Sequence, residues 1–143
     1  MPENDENNPT ETLTLQRDYA APPDRVFEAW TDPDVLALWF GCATEKLWQV
    51  HEWDVRAGGK LHVSLDFDGV PFAVHGEFVV VDPPHRLRYR WSNDEMIEVT
   101  IEPHGTGSRL HLAHTFRPGP EGAVRTEGWT WSLGQLGRVR TAV

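Results

Sequence analysis

The chain is poor in several things, and each shortage excludes a class of protein. It has one cysteine, Cys42, in 143 residues, so an intramolecular disulfide framework and a cysteine-rich zinc module are both ruled out, and nothing demands an oxidising compartment. Lysine is scarce too: Lys46 and Lys60 stand beside eleven arginines, and these 13 basic side chains face 22 acidic ones for a net charge of −9. Nucleic acids and anionic membranes are held by Lys and Arg on phosphate, so neither partner is expected. No apolar run approaches the roughly 20 residues of a membrane span, and the opening stretch Met1 to Glu6 is neither basic nor apolar, so no secretory leader is expected. A cytoplasmic location follows as the expectation.

What is present has a clear order. Residues 1–11 hold nothing apolar beyond Met1 and two prolines, cannot offset the entropy of ordering, and are predicted to be a disordered acidic tail ahead of one domain over residues 12–143. Leu13, Leu15 and Tyr19 alternate with Thr14, Gln16 and Asp18 as a half-buried strand does. Pro22-Pro23-Asp24 then opens a short helix whose apolar side is Val26, Phe27 and Trp30, ending near Thr31. Asp32-Pro33-Asp34 caps a second helix, with Val35, Leu36, Leu38, Trp39 and Phe40 before Gly41. From Lys46 to Phe116 the period is two, which predicts six strands at about 46–56, 60–67, 71–81, 86–92, 95–102 and 108–116. Beyond Pro118-Gly119-Pro120, Val124, Trp129, Leu133 and Leu136 return to helical spacing and predict a helix running to the chain end. The fold class is therefore α+β. A seven-stranded antiparallel sheet has one face to bury, and the last helix is the element long enough to cover it, so the sheet must curl around that helix.

The phrases Ala21-Pro22-Pro23-Asp24-Arg25-Val26-Phe27-Glu28-Ala29-Trp30-Thr31-Asp32-Pro33, Trp39-Phe40, Asp54-Val55-Arg56-Ala57-Gly58-Gly59-Lys60, Gly76-Glu77-Phe78, Asp82-Pro83-Pro84-His85-Arg86-Leu87 and Gly128-Trp129 resemble the activator of Hsp90 ATPase homologue 1-like family of the START-like, Bet v 1-like superfamily. The resemblance covers about residues 12–143 in the family's order and spacing. It implies a helix-grip fold: an antiparallel sheet wrapped around the C-terminal helix, two short helices in a V, and an internal cavity between. It implies a binder of small molecules; enzymes and partner-binding domains also occur in the superfamily. A shared fold does not carry a function with it, and the matched words are turns and caps.

Strand alternation assigns the lining. Leu61, Val63, Leu65 and Phe67 share one face, as do Leu87, Tyr89 and Trp91, opposite Arg86, Arg88 and Arg90, whose expected partners are Glu98 and Glu102. Leu110, Leu112, His114 and Phe116 are in phase, which places an imidazole on an apolar face while His111 points away. Such a histidine is a satisfied core residue, a polar anchor for a ligand, or an acid or base. Tryptophans supply large apolar area with one donor each, and Trp48 and Trp131 fall out of phase. The candidate ligand-binding residues are Trp39, Trp53, Phe67, Phe78, Trp91, His114, Trp129 and Leu133.

The sequence shows no recognisable catalytic or metal-binding motif. His111 and His114 are three apart on a strand and point to opposite faces, so they cannot share an ion. The other histidines show no ligand spacing, and no metal or cofactor is expected. Gly58-Gly59-Lys60 lacks the spacing of a phosphate loop and reads as a hairpin turn. Cys42 sits at a helix end that disfavours a thiolate, Ser132 has no nucleophile-elbow glycines around it, and paired inward carboxylates are missing. The expected function is binding of a small hydrophobic or aromatic molecule between sheet and C-terminal helix. Two alternatives belong to other classes: an enzyme of the polyketide aromatase or cyclase type using the same cavity, and an Hsp90-type chaperone-activating interaction module. Homodimerisation through a sheet edge or the helix end is left open.

Overall fold

The computed structural model describes residues 10–41, 47–67, 69–92, 94–119 and 122–138. The expected tail lies outside these residues apart from Thr10 and Glu11, as do Cys42 and the side chain of Phe67. The elements follow in the expected order: β1 (Glu11–Tyr19), α1 (Pro23–Thr31), α2 (Pro33–Trp39), β2 (Gln49–Trp53), β3 (Lys60–Phe67), β4 (Val70–Asp82), β5 (Arg86–Trp91), β6 (Glu95–His104), β7 (Gly107–Phe116) and α3 (Gly122–Leu136). The strands form one antiparallel sheet in the order β1-β7-β6-β5-β4-β3-β2.

Local chemistry accounts for the boundaries. Pro23 and Pro33 open α1 and α2, and the Asp32 carboxylate accepts the Asp34 N–H at 2.9 Å, capping the second helix. β2 is shorter than its alternation suggested because the chain turns at once: Arg56 N–H donates to the Asp54 carbonyl and Gly59 N–H to the Arg56 carbonyl. Gly58 takes φ 87° there, and a Cβ on Gly59 would stand 1.9 Å from the Asp54 carbonyl oxygen, so both glycines serve the turn and not a phosphate. α3 closes at Leu136, where Gly137 and Arg138 form a turn.

Sheet topology explains the helix pair. β1 and β2 are consecutive strands on opposite edges, so α1 and α2 carry the chain across the sheet, α1 packing on β6 and β7 and α2 on β2 and α3. One face of the sheet is dry. Leu61, Val63, Leu65, Leu87, Tyr89, Trp91, Ile97, Val99, Ile101, Leu110, Leu112, His114 and Phe116 are buried in strict alternation with more exposed neighbours. From the other side Val26, Phe27, Trp30, Leu36, Trp39, Phe40, Trp129, Leu133 and Leu136 close over them. Each large side chain so buried contributes about 1.5–3 kcal/mol. Trp48, which falls out of strand phase, sits at the core margin, where it meets Phe40 at 5.9 Å and Trp91 at 5.6 Å. Trp48 precedes β2, so strand phase does not govern where its ring points.

Of the outward arginines, Arg86 pairs with Glu98 at 2.6 Å. Glu102 meets His111 at 3.2 Å instead of joining that row, since the register sets Glu102 opposite Arg109 on β7 and away from β5.

Candidate functional site: the aromatic interior

The enclosed face is dominated by rings in mutual contact. Phe40 is their hub, with centroids at 5.9 Å from Trp39, 5.9 Å from Trp48, 6.3 Å from Trp53, 5.6 Å from Trp91 and 5.6 Å from Trp129. Trp30 lies 4.8 Å from Trp39 and stacks on Trp129 at 5.8 Å. Trp53 meets Phe78 and Tyr89 edge-on at 5.2 and 5.6 Å. The structure thus gathers Trp39, Trp53, Phe78, Trp91 and Trp129 into one cluster, with Leu133 buried in the same core. Trp30, Phe40 and Tyr89 join it, though spacing alone gave them no site role.

The indole donors are mostly taken. Trp39 Nε1 donates to the Ala29 carbonyl at 3.0 Å, and Trp53 Nε1 to the Trp30 carbonyl at 2.9 Å. Trp129 Nε1 donates to His114 Nδ1 at 2.8 Å. An indole N–H can only donate, so His114 Nδ1 must present its lone pair. The proton of a neutral ring is then on Nε2, which lies 2.6 Å from Glu95 Oε1 and donates to it. Arg125 completes the chain from α3, reaching Oε1 at 3.3 Å and Oε2 at 2.9 Å. Burial raises the Glu95 pKa, but the hydrogen bonds from His114 and Arg125 outweigh it and hold the carboxyl below its ordinary value.

This network decides what His114 can do. Neither ring nitrogen is free for a ligand or for a substrate proton, and both neighbours fix its tautomer. It fastens β7 to β6 and to α3. Glu95 was missed in the strand reading even though a signal existed: it shares phase with Ile97, Val99 and Ile101, an acid on the apolar side of β6. Ser132 ties the other end of α3, donating to the Gly41 carbonyl at 2.9 Å and accepting the Gly41 N–H at 3.0 Å.

Two polar atoms in the same interior are different. Trp30 Nε1 and the Tyr89 hydroxyl are buried without a hydrogen-bond partner. Burial pushes the Tyr89 pKa far up, so the phenol stays protonated and able to donate. The opposite face of the sheet carries an open groove of about 300 Å³ across β1, β7 and β6. Thr14, Gln16, Glu98, Thr100 and His111 line it together with Leu15, Leu112 and Ala113.

A seven-stranded antiparallel sheet closed by a C-terminal helix, with two helices bridging its edges, defines a helix-grip domain. The chain belongs to the family described as activator of Hsp90 ATPase homolog 1-like protein, which matches residues 20–139. That family lies in the Bet v 1-like superfamily, whose fold commonly binds hydrophobic ligands. Protein CV1439 from Chromobacterium violaceum is 29% identical, with a TM-score of 0.78 over 89% of this chain and 94% of its own. CalU16 from Micromonospora echinospora is 26% identical, with a TM-score of 0.67 over 91% of this chain and 76% of its own. An AHSA1-like protein from Aeromonas hydrophila, 20% identical with a TM-score of 0.76 over 90% and 91% of the two chains, shares the fold. No match was found among functionally curated proteins. Among the described residues no helix is long and apolar enough to cross a membrane.

Proposed function

We propose that the domain is a cytoplasmic binder of a small aromatic or otherwise hydrophobic molecule that carries a hydrogen-bond acceptor, taken up among the rings between the sheet and α3. The observation that carries this reading is the pair of unpartnered donors, Trp30 Nε1 and the Tyr89 hydroxyl, within the packed core that holds Trp39, Trp53, Phe78, Trp91 and Trp129. A buried donor without a partner is unfavourable by about 1–3 kcal/mol. A carbonyl or ether oxygen on a flat apolar ligand would satisfy it while the rings supply contact area. Leu133 belongs to the same proposed lining. His114 acts in this reading as the joint that fixes Trp129, and a ligand acceptor meets Trp30 or Tyr89.

The test is a thermal-shift and native mass-spectrometry screen of aromatic ketones, phenols and lipid-like compounds against the wild type, Tyr89→Phe and Trp30→Phe. Stoichiometric binding weakened by either substitution supports the reading. A panel with no binder, or binders indifferent to both substitutions, overturns it. Without ligand, Tyr89→Phe should leave stability unchanged or slightly raised, because it removes a hydroxyl that has no partner.

A further inference from the structure

The solvent face of β2, β3 and β4 carries three histidines in a row. His62 and His75 are register partners on adjacent strands, and their rings stack at 4.1 Å with planes 18° apart. His51 arrives through an irregularity: the register shifts between Val50 and Glu52, so His51 is the extra residue of a bulge opposite His62. Its ring lies 4.6 Å from that of His62, and its Nε2 is 2.6 Å from the Ser64 hydroxyl. His51, Glu52 and His75 are exposed and His62 is half-buried.

We propose that this column is a binding site for a borderline divalent transition-metal ion such as Zn²⁺, with His62 and His75 as the chelating pair and His51 as a third donor. Imidazole nitrogens are the ligands such ions favour. Two nitrogens bound at about 2.0–2.1 Å in a tetrahedron stand roughly 3.3 Å apart, so His62 and His75, register partners with ring centroids 4.1 Å apart, must turn and splay their rings to chelate one ion. As they stand the rings lie face to face, and no three donors among the described residues converge on one point. Torsions between a ring and its Cβ are broad and soft, and these rings border solvent, so convergence is a local change. Glu52 stands by as an oxygen donor.

Zinc titration of the full chain by calorimetry, in a non-chelating buffer at about pH 7.5 and again at about pH 5.5, tests the site. One saturable equivalent is expected at the higher pH and its loss at the lower. It should also be lost in His62→Ala and in His75→Ala, and retained in His111→Ala, with circular dichroism confirming that each variant folds. Absence of saturable binding overturns the proposal, as does binding that survives His62→Ala and His75→Ala.

Discussion

The two faces of one sheet hold histidines in opposite situations. On the inner face His114 is 3% exposed and both its nitrogens are bonded, one to an indole and one to a carboxylate. On the outer face His51, His62 and His75 touch one another beside solvent. The residue type is the same and the strands belong to one sheet, yet burial makes the first a structural joint and leaves the others adjustable. A buried imidazole must be fully satisfied or it destabilises the fold. An exposed one is under no such constraint, and so it is the exposed set that can change partners.

This contrast implies a graded set of mutational effects. The largest is expected at Phe40, the hub of the inner rings: Phe40→Ala should lower unfolding free energy by about 3–5 kcal/mol, read from urea denaturation. A loss below about 1 kcal/mol would show that the ring cluster does not form as described. Next comes His114→Ala, which orphans the Trp129 N–H and removes one donor from Glu95. Each buried neutral group left unpaired is unfavourable by about 1–3 kcal/mol, so a loss of about 2 kcal/mol or more is expected, with a changed tryptophan emission spectrum. Equal stability of His114→Ala and wild type would remove the joint from the account.

Glu95 gives a smaller, pH-dependent effect. Its folded pKa lies below the ordinary glutamate value, so its stabilising contribution is complete above the unfolded pKa and disappears as pH falls through the folded one. Denaturation curves collected down the acid limb should therefore be shallower in pH for Glu95→Gln than for wild type. Parallel limbs would mean that the His114 and Arg125 bonds do not act on this carboxyl. The smallest effect belongs to the outer face, where His62→Ala should leave the unfolding midpoint unchanged in metal-free buffer. A marked drop would show that the stacked rings hold β2 to β4, and the two faces would no longer differ.

Much of the architecture is legible in the chain because it is periodic. Alternation placed Leu61, Val63, Tyr89, Trp91, Leu112 and His114 on the dry face, and Pro23, Asp32 and Pro33 marked the helix starts. Phase also put His111 and His114 on opposite sides, as the burial pattern of β7 has them. The parts that were not legible depend on distance along the chain. Glu95 and Arg125 are 30 residues apart, Gly41 and Ser132 are 91 apart, and no local pattern relates either pair. Trp30 and Phe40 read as ordinary apolar helix positions, and only the packing of α1 and α2 over the sheet makes them central.

The sequence by itself determined the class of fold, the phase of each long strand and the exclusion of disulfide scaffolds, because these follow from composition and from periods of two and of three to four. Tertiary structure alone decided which donors are satisfied and which are not. It also decided that one extra residue at His51 brings three histidines from three strands side by side. Strand register and bulges are set by the whole sheet closing on its helix, and contacts so made carry no signature in the order of the residues that make them.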